Sequence, residues 1–322
     1  MIFIFANIST FQSTVCLIIF DIFIEFKLLI GCEPEISYLY STKSGSKRIF
    51  QSSQVPIPYG VYDIYDEHVL FESLTRLIMN YADIQRWIFK IDDHFDGLGI
   101  AYCDITKHLP PQTTFSIILS ELPSILSKHT IFVNTTQFHS WQSYLKVFLS
   151  QGGIIEAYPP SNSITTTTVC LSIDPNGHYT FVCSGDQIHA ESEFSSWGLA
   201  FPQSAIDSTQ INTYCSLIAE QCRQRNIFGY IDIDFLVFLD QKTNSKQIWI
   251  SDLSIGYSEY VAHFYVTKYL TTGEFQSQTH SFIVKKKQAK QKLRNWQNGA
   301  PEYTVNTRCF SLRIIRICLV FR

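Results

Sequence analysis

The sequence holds no Cys-x-x-Cys pair, and its nine cysteines are scattered and odd in number. Neither a paired-thiolate zinc site nor a disulfide framework is therefore expected, and reduced thiols of a cytosolic-type compartment are the plain reading. Charge is scarce as well: 16% of residues are Asp, Glu, Lys or Arg, and the formal net charge is −3. Without a recurring basic face, the chain is not expected to bind nucleic acid. There is no G-x-S-x-G, no H-E-x-x-H, no G-x-x-x-x-G-K-[ST] and no dinucleotide fingerprint. These absences leave the commonest hydrolase, zinc-protease and P-loop signatures without support.

Apolar residues are plentiful, at 46% of 322 residues, enough for one large or two ordinary folded domains. Residues 1–31 are strongly apolar but lack a basic leader and a small-residue cleavage site, and Asp21, Glu25 and Lys27 interrupt the run. They can be read as a membrane segment, as buried strands, or as a start that does not belong to the fold; membrane association is the less favoured expectation. Composition separates three segments: one up to about Tyr59, a folded core at about 60–272, and a last part whose basic block begins near Lys285. Ser41–Arg48 is a polar stretch, and Val55-Pro56-Ile57-Pro58 favours an extended run.

Within 60–272, apolar residues at Leu70, Leu74, Leu77 and Ile78 mark a helix over His68–Tyr81. Trp87–Ile91 reads as a short strand before a turn-rich loop, Asp92–Gly99. Leu122–Leu126 and Trp141–Leu149 look helical, and Ile154–Tyr158 is a strand stopped by Pro159-Pro160. Asp174-Pro175-Asn176-Gly177 is a strong turn between two β-rich runs, and Asp207 or Ser208 can cap a helix over Thr209–Arg225. Helices alternating with hairpins indicate an α+β fold of mixed sheets.

Gly229–Tyr257 carries the most chemistry. A symmetric hairpin puts Asp234 across from Asp252 and Asp232 across from Ser254. Opposed carboxylates repel, and a divalent cation removes the repulsion. A slip in register, or an aspartate that reaches solvent at a strand end, is the alternative reading. Lys90 ends an apolar strand and precedes a loop with Gly97 and Gly99, which suits a phosphate; a merely solvated lysine reads the same way. Glu156 ends a strand before Pro159-Pro160 and is either a hydrogen-bond partner for a base or ribose, or a surface acid.

The strings LIGCEPEISYLYSTKSGSKRIF, RWIFKIDDHFDGLGIAYCDI, SQGGIIEAYPPSNSIT, SGDQIHAES, FPQS and GYIDIDF, spread over roughly residues 28–272, resemble the ATP-grasp superfamily. Within it they resemble the branch whose longer members carry a calmodulin-binding IQ motif. That likeness also divides the first segment into 1–27 and 28–59 and sets the last as a basic linker with the carboxyl-terminal region at 273–322. The resemblance implies two α+β subdomains with ATP and Mg²⁺ between them. It implies Lys90 on the phosphates, Gly97 and Gly99 in the loop that closes over them, and Glu156 in the adenine-binding hinge. Lys47 would be the earlier basic position near the nucleotide, and Asp234 and Asp252 the metal positions. Ser254 stands where the family pattern has asparagine, and Asp92, Asp93 and Asp96 put negative charge in the loop. The chemistry implied is phosphorylation of a carboxylate, followed by capture with an amine or thiol. Ile84-Gln85 lacks the spaced basic residues of an IQ motif, so calmodulin is expected only through a segment absent from this chain, which reads as a fragment. A non-catalytic protein-interaction domain is the alternative to an ATP-binding one.

Overall fold

The computed structural model describes residues 31–283 except 95, 96, 112, 190 and 191. The readings of 1–27, of Asp96 and of the basic linker at 284–322 lie outside the described residues.

Two five-stranded sheets, each with its own helical layer, build the molecule. The first has the order β1-β5-β2-β3-β4, formed by Gly60–Val61 (β1), Trp87–Ile91 (β2), Ile100–Cys103 (β3), Ile131–Phe132 (β4) and Gly153–Ala157 (β5). The second has the order β10-β9-β6-β7-β8, formed by Ile164–Ile173 (β6), Tyr179–His189 (β7), Ser196–Ala200 (β8), Gly229–Leu239 (β9) and Lys246–Ile255 (β10). A two-stranded hairpin, Glu274–Gln276 (β11) and Ser281–Ile283 (β12), follows.

Two helices precede the first sheet, Pro34–Ser41 (α1) and Lys43–Ser52 (α2). The polar stretch 41–48 is thus largely helical. Thr42 caps α2 by accepting from the Gly45 amide, and Ile49 and Phe50 give it a buried side. Composition hid this helix because its exposed face is polar, while its buried face is short and includes a lysine.

Three helices cover one face of the first sheet: Glu67–Asn80 (α3), Phe115–His129 (α4) and Trp141–Gln151 (α5). Asp66 caps α3, and Ser140 with Ser143 forms a capping box on α5. Strand alternation then sorts the side chains. Trp87, Phe89 and Ile91 of β2 and Ile155 and Ala157 of β5 enter the core with these helices, so Ile88, Lys90 and Glu156 face the other way.

The second sheet buries Val169, Leu171, Ile231, Ile233, Phe235, Ile248 and Ile250 against α2 and Ser208–Gln224 (α6), which Asp207 caps. Its other face meets Glu259–Thr271 (α7) at one end through Cys170, Cys183, Val261 and Phe264, and elsewhere faces the first sheet. The β6–β7 turn is tight: the Asp174 carboxylate accepts from the Asn176 and His178 amides, and Gly177 sits at φ 86°.

The β9–β10 hairpin contains one irregularity that decides the site. Pairing runs unbroken from Lys246↔Leu239 to Ile250↔Phe235, leaves out Ser251, and resumes at Asp252↔Asp234 and Ser254↔Asp232. Before this bulge Ile248 and Ile250 enter the core; after it Leu253 and Ile255 do. One extra residue shifts the alternation by one, so Asp252 turns out of the core toward the first sheet. No helix among the described residues is long and apolar enough to cross a membrane.

Candidate functional site

The cleft between the two sheets has a volume of about 1110 Å³. That is at the upper end of ligand pockets, which run from about 300 to about 1,000 Å³. Ile88 and Ile100 from the first sheet and Leu236 from the second line an apolar stretch of it. Lys90, Asp234 and Asp252 line the charged stretch beside it.

Strand alternation puts Lys90 and Glu156 on one face of neighbouring strands, and the Ser251 bulge brings Asp252 to meet them. Lys90 Nζ lies 2.5 Å from Glu156 Oε1 and 2.8 Å from Asp252 Oδ2. Lys47 Nζ, from α2, lies 2.8 Å from Glu156 Oε2, and Lys43 Nζ lies 3.1 Å from Asp252 Oδ1. Three ammonium groups therefore alternate with two carboxylates in an unbroken chain. Both oxygens of each acid lie within ion-pair distance of a lysine, and Lys90 donates a hydrogen bond to Asp252 Oδ2.

Burial and pairing set the ionisation of this chain. Burial alone would lower Lys90, but Asp252 and Glu156 more than offset it and hold the amine above its ordinary range. Burial would raise Asp252 and Glu156, yet the lysines around each outweigh that and hold both acids low. Lys47 is lowered by burial, against the pull of Glu156.

Asp234 is treated differently by its surroundings. Its Oδ1 accepts from Thr168 Oγ1 at 2.7 Å and from Gln187 Nε2 at 3.1 Å, without an ammonium at ion-pair distance among the described residues. Burial, with Asp252 adding repulsion, pushes its carboxyl up to about 7. Burial likewise pushes Asp232 up to about 6, and its Oδ1 is a buried oxygen without a hydrogen-bond partner. Among the described residues, Asp234 is thus a carboxyl of the cleft without an ion-pair partner, and Asp232 lies behind it on the same strand.

Among the described residues no three His, Cys, Asp or Glu side chains converge as a metal cage. The donor set fits Mg²⁺ in its usual manner, held by one or two carboxylates and completed by substrate phosphates and water. Asp234 and Asp252 are the two that face each other.

Gly97 and Gly99 lie in the loop after β2. Gly97 has φ 74°, and a Cβ there would come 2.4 Å from the Phe194 carbonyl; one on Gly99 would strike His94. Glycine is what lets the loop approach the segment after β7 so closely. Asp92 does not hold its charge in the loop. It is buried, and its carboxylate accepts from the Ser44 amide at 2.7 Å, in the first turn of α2. At the opposite edge of the cleft, Arg86 stacks near Tyr102 and Tyr158 and pairs with Asp104 at 2.7 Å and Glu193 at 2.8 Å.

Lys47, Lys90, Glu156, Asp234 and Asp252 therefore come together in one cluster, while Gly97 and Gly99 sit in the adjoining loop. Sequence reasoning missed Lys43, Thr168 and Gln187. Lys43 had a signal, since it precedes Lys47 by four residues and shares its helix face. Thr168 and Gln187 had none, because only the β6–β7–β9 register brings them to Asp234.

The family model described as "IQCH-like, ATP-grasp" matches residues 34–117 and 111–278. IQ motif-containing protein H of Danio rerio is 35% identical over 277 residues, which cover 80% of this chain and 26% of that protein. The chain thus spans about a quarter of the length of the curated relative it matches. Among solved structures, the biotin carboxylase domain of Hydrogenobacter thermophilus 2-oxoglutarate carboxylase, in complex with MgADP, ADP and bicarbonate, is similar with a TM-score of 0.53 and 13% identity. That match covers 81% of this chain and 49% of the other. Biotin carboxylase from Campylobacter jejuni, in a β,γ-ATP complex, is similar with a TM-score of 0.50 and 13% identity, over 78% and 48%.

Proposed function

Because the chain belongs to the IQCH-like ATP-grasp family, we propose that its cleft binds ATP together with Mg²⁺. The observation that carries this reading is the chain of three lysines and two acids beside an apolar wall. Ile88, Ile100 and Leu236 suit a flat base, while the ammonium groups suit a polyphosphate. The similarly folded biotin carboxylases in complex with MgADP and with β,γ-ATP support the same ligand class.

The chain's own residues then have separate tasks. Lys90 and Lys43 exchange Asp252 for phosphate oxygens, which leaves that carboxylate free, while Lys90 keeps its pairing with Glu156. Asp234 and Asp252 would hold the metal between them. Glu156 keeps Lys90 in place beside the hinge strand β5. Bound Mg²⁺ would neutralise phosphate charge. Gly97 and Gly99 allow the loop after β2 to lie close over the ligand.

A second reading, a non-catalytic interaction domain that keeps the fold, has its own support. Ser254 is exposed and offers only a hydroxyl opposite Asp232. Calorimetric titration with ATP, with and without Mg²⁺, decides between the two. Binding that strengthens with Mg²⁺ supports the first, and Asp252→Ala should remove that dependence. Absence of heat at millimolar nucleotide would leave the interaction domain.

A further inference from the structure

Lys47 differs from the other two lysines of the cluster in that, among the described residues, it alone of the three bonds a backbone carbonyl. Its side chain is 4% exposed, against 6% for Lys90 and 16% for Lys43, and of the three only Lys90 lines the cleft. Its Nζ donates to the backbone carbonyl of Ser251 at 2.7 Å and forms an ion pair with Glu156 Oε2 at 2.8 Å. Ser251 is the residue left out of the β9–β10 pairing.

A bulge leaves backbone groups without ladder partners, and a buried carbonyl left unmet is costly. Lys47 meets this one with a charged donor. The Ser251 hydroxyl donates to the Asp234 carbonyl at 3.3 Å, and the neighbouring Ile250 amide donates to the Pro56 carbonyl at 2.8 Å. The bulge is thus anchored from both sides, and α2 supplies the buried anchor. Its consequence is the shift in alternation that turns Asp252 toward the cleft rather than into the core.

We propose that Lys47 is a positioning residue that holds the Ser251 bulge and thereby aims Asp252, and that it is not a phosphate contact. A phosphate contact would need the ammonium to leave both acceptors and cross to the far side of Glu156. Lys43, one helical turn earlier and more exposed, is already on the Asp252 side. The effect on metal binding rests on the MgATP reading; the effect on the bulge does not.

The test uses the full chain with Lys47→Met and two measurements. Amide hydrogen exchange at Trp249–Leu253 should rise by about tenfold or more relative to α3, because the bulge loses its anchor. The gain in ATP affinity on adding Mg²⁺ should fall by about tenfold, while affinity for metal-free ATP stays within about threefold. Unchanged exchange at Trp249–Leu253 overturns the proposal. So does a loss confined to metal-free ATP affinity with the Mg²⁺ gain intact, the signature of a phosphate contact. If Lys47→Met does not fold, the double variant Lys47→Met with Glu156→Gln leaves no buried charge unpaired at that end, and the same exchange measurement decides. Failure of the wild-type chain to bind ATP would count against the nucleotide reading alone, since the exchange result stands without a ligand.

Discussion

Asp234 is where the cost of this site is concentrated. An ordinary aspartate has lost its proton by pH 5, but burial holds this one up to about 7. In the unfolded chain it ionises near its usual 3.8. A raised carboxyl binds more protons folded than unfolded, so this group makes the protein less stable as pH rises from about 4 to about 7. Asp234→Asn should therefore raise stability at pH 8 by about 2 kcal/mol, roughly half the full conversion of the shift because the side chain is partly solvated. At pH 4 the same substitution should change little. Thermal melts at the two pH values check this, and an equal effect at both would show that Asp234 is not strained by its charge. A residue whose removal stabilises the fold is characteristic of a site arranged for a ligand. Lys90 and Asp252 behave oppositely, since each leaves a buried partner charge if removed.

At the scale of elements, the loop after β2 is set by two glycines and a buried acid. Asp92 accepts from the Ser44 amide in the first turn of α2 and so ties the start of the loop to the helix that carries Lys43 and Lys47. At the far end Gly97 touches the backbone of Phe194, in the segment that follows β7. Gly97→Ala meets a positive φ and a 2.4 Å approach to that carbonyl. It should cost about 1–2 kcal/mol and detach the loop from Phe194. Limited proteolysis should then cut the loop faster in the variant. Equal cleavage rates would mean that the contact does not hold the loop. The β9–β10 bulge belongs to this scale too, because one unpaired residue reorients half a strand.

Across the whole molecule, the two sheets are coupled through the same hairpin. Phe238 and Trp249, on the cleft face of β9 and β10, pack into the core of the first sheet, and Trp249 meets Tyr59 edge-on. A shared core predicts one cooperative unfolding transition. Trp249→Ala should cost about 3–4 kcal/mol and separate that transition into two, as seen by calorimetry. A single transition at a lower temperature would place the coupling elsewhere, for instance at the Arg86–Glu193 pair that also joins the two halves. The Lys90–Asp252 and Lys242–Asp83 pairs join the same two halves, and Trp249, Arg86 and Glu193 all line the cleft.

Much of the site was legible in the chain because the relevant signals are local. The β2 strand over Trp87–Ile91, the turn at Asp174–Gly177, the Asp207 cap and the pairing of Asp234 with Asp252 all follow from alternation, turn chemistry and order along the sequence. The α2 helix escaped because composition weighs a polar face and cannot see which of its lysines is buried. The family strings carried the ATP-grasp assignment, which the family match bears out. What the sequence by itself determined was which residues carry charge and, where a strand runs without a bulge, which face they take. Only the tertiary structure decided that Lys43 and Lys47 stand at opposite ends of one ion-pair chain, that Asp92 accepts from the first turn of α2, and that Ser251 is skipped. Pairing across 162 residues, as between Lys90 and Asp252, depends on how sheets pack and where a strand bulges, and no local pattern encodes either.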